Sequence, residues 1–141
     1  MAMRISKADL WVVGVPDVPG TLAAKLSALS DAGANFQWVL ARRSSEAPGE
    51  SVVFLTPLKG AKQIKAAESA GFRKLDNIFS VRIESPDKPG LAANVTRKLG
   101  EAGVNLRGFS AASLGRTCVI YLALESAAAA ELAMKVLKKI K

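Results

Sequence analysis

Short runs of β-branched and aromatic residues alternate with leucine- or alanine-striped segments along the chain, and proline or glycine closes several of them. Asp9–Val15 reads as a strand stopped by Pro16, which has no amide hydrogen to give to a ladder. Leu22, Leu26 and Leu29 then recur at helical spacing, one apolar stripe on a helix that starts near Pro19 and stops at Gly33. Asn35–Arg42 and Ser51–Leu58 read as the two strands of a hairpin, joined by Arg43–Glu50 with its serines, Pro48 and Gly49. A helix over Lys59–Ala70 follows, with Ile64 and Ala67 turned inward and Gly71 as its stop, and then a short strand, Phe72–Leu75.

The pattern then starts again. Strand Ile78–Glu84, helix Pro89–Ala102, strand Val104–Ala112, a tight connection at Leu114-Gly115-Arg116 and strand Thr117–Leu124 lead into a last helix. In that helix Ala129, Ala133, Val136, Leu137 and Ile140 share a face, while Lys135, Lys138, Lys139 and Lys141 lie elsewhere and complement the negative end of the helix dipole. The recurrence is literal in places. Pro16-Asp17-Val18-Pro19-Gly20 returns seventy residues later as Pro86-Asp87-Lys88-Pro89-Gly90, and in the same register Ala32-Gly33-Ala34-Asn35 returns as Ala102-Gly103-Val104-Asn105.

Two copies of one module follow, residues 1–76 and 77–141. The first runs strand, helix, strand, strand, helix, strand and the second follows it as far as the last helix, an α+β order that predicts a ferredoxin-like βαββαβ unit with both helices on one face of a mainly antiparallel sheet. The second copy runs out before its final strand, which leaves one edge of Ile78–Glu84 without an intrinsic partner. Ala2–Ser6 or another subunit is expected to cover that edge.

Composition narrows the chemistry. Of 141 residues 50% are hydrophobic, enough for a core; a single cysteine excludes a disulfide framework, and the absence of histidine removes the commonest general base and metal ligand. Cys118, in an apolar strand, reads as a buried, inert thiol. No catalytic constellation, metal site or cofactor is therefore expected, and the chain is not read as an enzyme. Met1–Lys7 lacks a secretory pattern and no apolar run approaches the roughly 18 residues of a spanning helix, so a cytoplasmic protein without a membrane partner is expected. The formal charge of +8 attracts anions, but the basic residues are spread along the chain.

The repeated turn has its own chemistry. A helix amino terminus offers N–H donors and a positive dipole end to a carboxylate, and glycine there allows close approach. An adjacent aspartate suits an ammonium group, and an asparagine amide both donates and accepts. Carboxylate, ammonium and apolar tail together describe a free amino acid. The plainer alternative stays open: Asp17 and Asp87 bond the first-turn amides, Asn35 and Asn105 satisfy the turns after Gly33 and Gly103, and the prolines and glycines only shape the turn.

An apolar strand, Pro-Asp-x-Pro-Gly, a striped helix ending in Ala-Gly, and Ala-Asn or Val-Asn opening the next strand resemble the ACT domain, a small regulatory module of amino-acid metabolism, here in tandem. The resemblance implies modules paired side by side into a continuous sheet and an effector amino acid bound where modules meet. Its usual ligand contacts fall on Asp17 and Asn35 in the first copy and on Asp87 and Asn105 in the second. Paired about a pseudo-two-fold axis, Asp17, Gly20 and Thr21 would face Asn105, and Asp87, Gly90 and Leu91 would face Asn35. The two sites are expected to differ, because Phe36 and Trp38 of one copy correspond to Leu106 and Gly108 of the other.

The expected function is thus a small-molecule, amino-acid-binding regulatory protein, an allosteric sensor or the regulatory subunit of a separate metabolic enzyme, forming a homodimer. The competing function is RNA binding on a ferredoxin-like sheet with a basic surface. It is disfavoured because the strands expected at the sheet centre offer only Phe54 and Tyr121 for stacking bases.

Overall fold

In the computed structural model, which describes residues 3–140, the elements in chain order are β1 (Arg4–Ala8), β2 (Trp11–Pro16), α1 (Thr21–Ser30), β3 (Trp38–Arg43), β4 (Glu50–Thr56), α2 (Gly60–Ser69), β5 (Arg73–Lys74), β6 (Phe79–Pro86), α3 (Leu91–Glu101), β7 (Gly108–Leu114), β8 (Thr117–Leu124) and α4 (Ala127–Lys138). They form two four-stranded antiparallel sheets, β3-β4-β2-β5 and β1-β6-β8-β7, each the sheet of one ferredoxin-like module. The chain divides into two compact units: the first is Asp9–Leu75, and the second joins the segment ending at Ala8 to the chain from Asp76 onward.

In the first unit, alternate residues of β2 and β4 point to the helices. Trp11, Val13, Val15, Val53 and Leu55 meet Leu29 of α1, Ala67 of α2 and Phe72 in one core. The leucine stripe of α1 is graded: Leu29 is fully buried, Leu26 is half-buried and Leu22 is exposed. Full burial of a leucine contributes about 1.5–3 kcal/mol, so α1 is held mainly by its last turn. That turn closes by backbone alone, with Ala34 N–H donating to Leu29 O at 3.1 Å and Gly33 N–H to Ser30 O at 2.9 Å. This closure uses up the residues before Trp38, which is why β3 starts later than the hydrophobic pattern predicts. The unit's ends are tied together, Leu75 N–H donating to Leu10 O at 2.9 Å and Lys74 pairing with Asp9 at 3.3 Å.

The second unit completes its sheet with the strand that precedes the first. β1 lies antiparallel to β6, from Arg4 opposite Glu84 to Ala8 opposite Ser80, in the place that β5 takes beside β2. The amino-terminal segment therefore covers the edge expected to lack a partner; Ala2, part of the expected segment, lies outside the described residues. Met3 and Ile5 pack on a core built from Val81, Ile83, Leu91, Val95, Leu99, Ile120, Leu122, Leu124 and Leu137. Along β6, Ser80 and Ser85 are buried as well as Val81 and Ile83, so the strand is less strictly alternating than its sequence. α4 is capped by Ser126, whose Oγ accepts from Ala129 N–H at 3.0 Å. Its buried face centres on Ala130, Ala133 and Leu137, and Lys135 and Lys138 lie in its last turn; Lys141 lies outside the described residues.

Candidate ligand site at the repeated turns

Each repeated turn is built the same way. Asp17 N–H donates to Gly49 O at 2.9 Å and Asp87 N–H to Arg116 O at 2.8 Å, pinning the strand end to the neighbouring hairpin. Gly20 (φ 90°) and Gly90 (φ 81°) then bend the chain into its helix in the left-handed region, where a Cβ is strained. The first helical bonds follow, Ala24 N–H to Gly20 O at 3.0 Å and Asn94 N–H to Gly90 O at 2.8 Å.

The side chains diverge. Thr21 Oγ1 donates to Pro16 O at 2.8 Å, with Val18 O at 3.1 Å, and so braces its turn. Leu91, at the same position of the other copy, is 4% exposed and anchors α3 in the core. Asp17 accepts from Arg43 Nε at 2.8 Å rather than from first-turn amides. Among the described residues the Asp87 carboxylate has no hydrogen-bond or ion-pair partner, and neither do the side chains of Asn35 and Asn105. The turns after Gly33 and Gly103 need nothing from those asparagines, since Val104 N–H donates to Leu99 O at 2.9 Å just as Ala34 does to Leu29 O.

A hollow of about 270 Å³ opens at the start of α3 in the second unit. Asp87, Lys88, Gly90 and Leu91 line it from the turn, and Ala111, Ala112 and Ser113 of β7 with Cys118 of β8 close its other side. Its volume is near the lower end of small-molecule pockets, roughly 300–1,000 Å³. It combines one carboxylate, one ammonium, a hydroxyl and small apolar walls. Three residues expected from sequence, Asp87, Gly90 and Leu91, thus come together here. Asn105 does not join them, because it lies beyond the far end of α3, about 16 Å along an eleven-residue helix. In the first unit α1 separates Asn35 from Asp17, Gly20 and Thr21 in the same way. Sequence reasoning missed Lys88 and the β7–β8 wall. The repeat register could have indicated the wall, since Ser113 occupies the position of Arg43. Cys118 is buried, as expected, yet lines this hollow. A different hollow in the first unit, about 230 Å³, is lined by Gly14, Ser44, Glu50, Ser51 and Arg73 among others and contains none of the expected residues.

The strands at the centre of each sheet are poor platforms for bases. Tyr121 is 6% exposed and accepts from Arg82 Nε at 3.1 Å, and the Arg42 guanidinium lies 6.0 Å from the centre of the Phe54 ring. Among the described residues no helix is long and apolar enough to cross a membrane.

Residues 79–141 match the family model of the ACT domain. No curated protein sequence matches the chain. Among solved structures, protein BT0572 from Bacteroides thetaiotaomicron superposes with a TM-score of 0.76 at 15% identity, over 96% of this chain and 99% of that one. The regulatory subunit of aspartate kinase from Thermus thermophilus, in a ligand-free form, gives 0.63 at 17% identity over 98% and 93% of the two chains. Its counterpart from Thermus flavus gives 0.61 at 17% identity over 97% and 95%. At these identities the likeness is one of fold.

Proposed function

We propose, from the ACT domain that residues 79–141 form, that this chain is a regulatory protein that binds a free amino acid and has no catalytic activity of its own. The observation that carries the proposal is the hollow at α3, where Asp87 and Lys88 stand beside a helix amino terminus. An α-ammonium is matched by Asp87, an α-carboxylate by Lys88 and the first-turn N–H groups, and an apolar side chain by Leu91 and the alanines. Asn35 or Asn105, each too far from the turn of its own unit, joins the ligand from a neighbouring module of a homodimer. β7 supports such pairing. It is an edge strand without charged residues, and it exposes Phe109 and, at its tip, Leu114. Ligand binding then shifts an equilibrium between arrangements, which a separate metabolic enzyme in the cytoplasm reads, in the manner of the regulatory subunits whose fold this chain shares.

A thermal-shift panel of the twenty amino acids tests this. One of them is expected to raise the midpoint of the unit that binds it by about 11–22 °C at a hundredfold excess over Kd. Asn35→Ala or Asn105→Ala is expected to reduce that shift without changing the unliganded midpoint. Salt-sensitive RNA binding together with a flat amino-acid panel would favour the RNA-binding alternative instead.

A further inference from the structure

The two repeated turns share a backbone frame but not a state of occupation. Arg43, the last residue of β3, donates through Nε to Asp17 Oδ2 at 2.8 Å. Its equivalent in the repeat is Ser113 of β7, and Ser113 lines the same hollow as Asp87. A side chain at position 43 therefore reaches across the ground that, in the second unit, stands open. Val18 replaces Lys88 in the same comparison, so the first turn also lacks the second unit's cation.

We propose that Arg43 is a tethered competitor at the first turn: its guanidinium occupies on Asp17 the position that a ligand's ammonium takes on Asp87. The chain then binds one amino acid tightly, in the unit containing α3, and the first turn is a weaker site. This inference rests on the function proposed above. Arg43 is largely exposed, so the ion pair is screened by salt and displaceable rather than locked. With its carboxylate engaged by Arg43 and a valine where the second unit has Lys88, the first turn is expected to bind at least about tenfold more weakly than the second.

Calorimetric titration of the full chain with each of the twenty amino acids in turn tests the inference. The unmodified chain is expected to show one tight site. Ser113→Arg, which places the competitor in the second unit, should weaken that site by about tenfold or more. The double variant Val18→Lys, Arg43→Ser should show two sites of comparable affinity. All three positions are exposed, and unliganded melting is expected to change little. Two equal sites in the unmodified chain, a Ser113→Arg variant that binds normally, or a double variant that keeps one site would each overturn the competitor role while leaving the proposed function standing. If no amino acid binds any of the three proteins, the proposed function itself fails, and the competitor role with it.

Discussion

A chain that begins at Asp9 is expected to have a much less stable second unit while the first is unaffected. Without β1, β6 loses its pairing from Arg4–Glu84 to Ala8–Ser80, and the core loses Met3 and Ile5 from its edge. Val81 and Ile83, fully buried in the intact chain, then lie on the outermost strand. Lost packing and an unpaired edge together are expected to cost about 3 kcal/mol or more, a large share of the ~5–15 kcal/mol that holds a domain. At roughly 4–8 °C per kcal/mol for a unit of this size, its melting midpoint should fall by about 12–24 °C. Hydrogen exchange separates the units: amides of Phe79–Ile83 should lose protection, whereas those of Val53 and Leu55 in the first unit should keep it. Protection of Phe79–Ile83 that survives the truncation would show that β1 is dispensable.

Asp87→Asn is expected to weaken amino-acid binding by about ten- to a hundredfold, the worth of one charge-assisted hydrogen bond, and to leave the unliganded midpoint unchanged. The second half of that expectation follows from the structure. The turn is held by the Asp87 backbone N–H to Arg116 O at 2.8 Å, while the carboxylate has no partner among the described residues. Asp17→Asn provides the contrast. It removes an exposed ion pair with Arg43 and should leave tight binding intact, because the first turn is not the tight site. A titration series on the two variants checks both. Equal losses would mean that the turns act as a symmetric pair.

The repeat made the turns legible in advance. A glycine entering a helix with positive φ at both Gly20 and Gly90 is a backbone requirement, and such requirements recur in sequence even where side chains drift. β8 was read at its observed limits, Thr117–Leu124, since a run of alternating buried residues between a tight turn and a capped helix has little freedom to shift. The start of β3 was less legible, because the segment from Asn35 to Gln37 is set by the backbone closure of α1 and by Gln37 N–H donating to Thr56 O at 2.9 Å, neither of which leaves a hydrophobic signature. The wall of the hollow was invisible for a different reason. Ser113 and Cys118 reach Asp87 only through the pairing of β7, β8 and β6, contacts that span some thirty residues and depend on hairpin register. The cover for the edge of β6 was anticipated only as one of two options, because a strand that pairs with a partner on the far side of an inserted unit leaves no local trace.

Cys118, the chain's one cysteine, stands in the wall of the hollow and reports directly on its occupation. The most direct measurement is the rate of its alkylation by iodoacetamide, followed by mass spectrometry, with and without a saturating concentration of the amino acid that stabilises the chain most. Occupation of the hollow is expected to slow alkylation about tenfold or more, and Asp87→Asn should raise the amino-acid concentration needed for half of that protection about ten- to a hundredfold. An unchanged rate in the presence of an amino acid that does stabilise the chain would place the ligand elsewhere and contradict the assignment of this hollow.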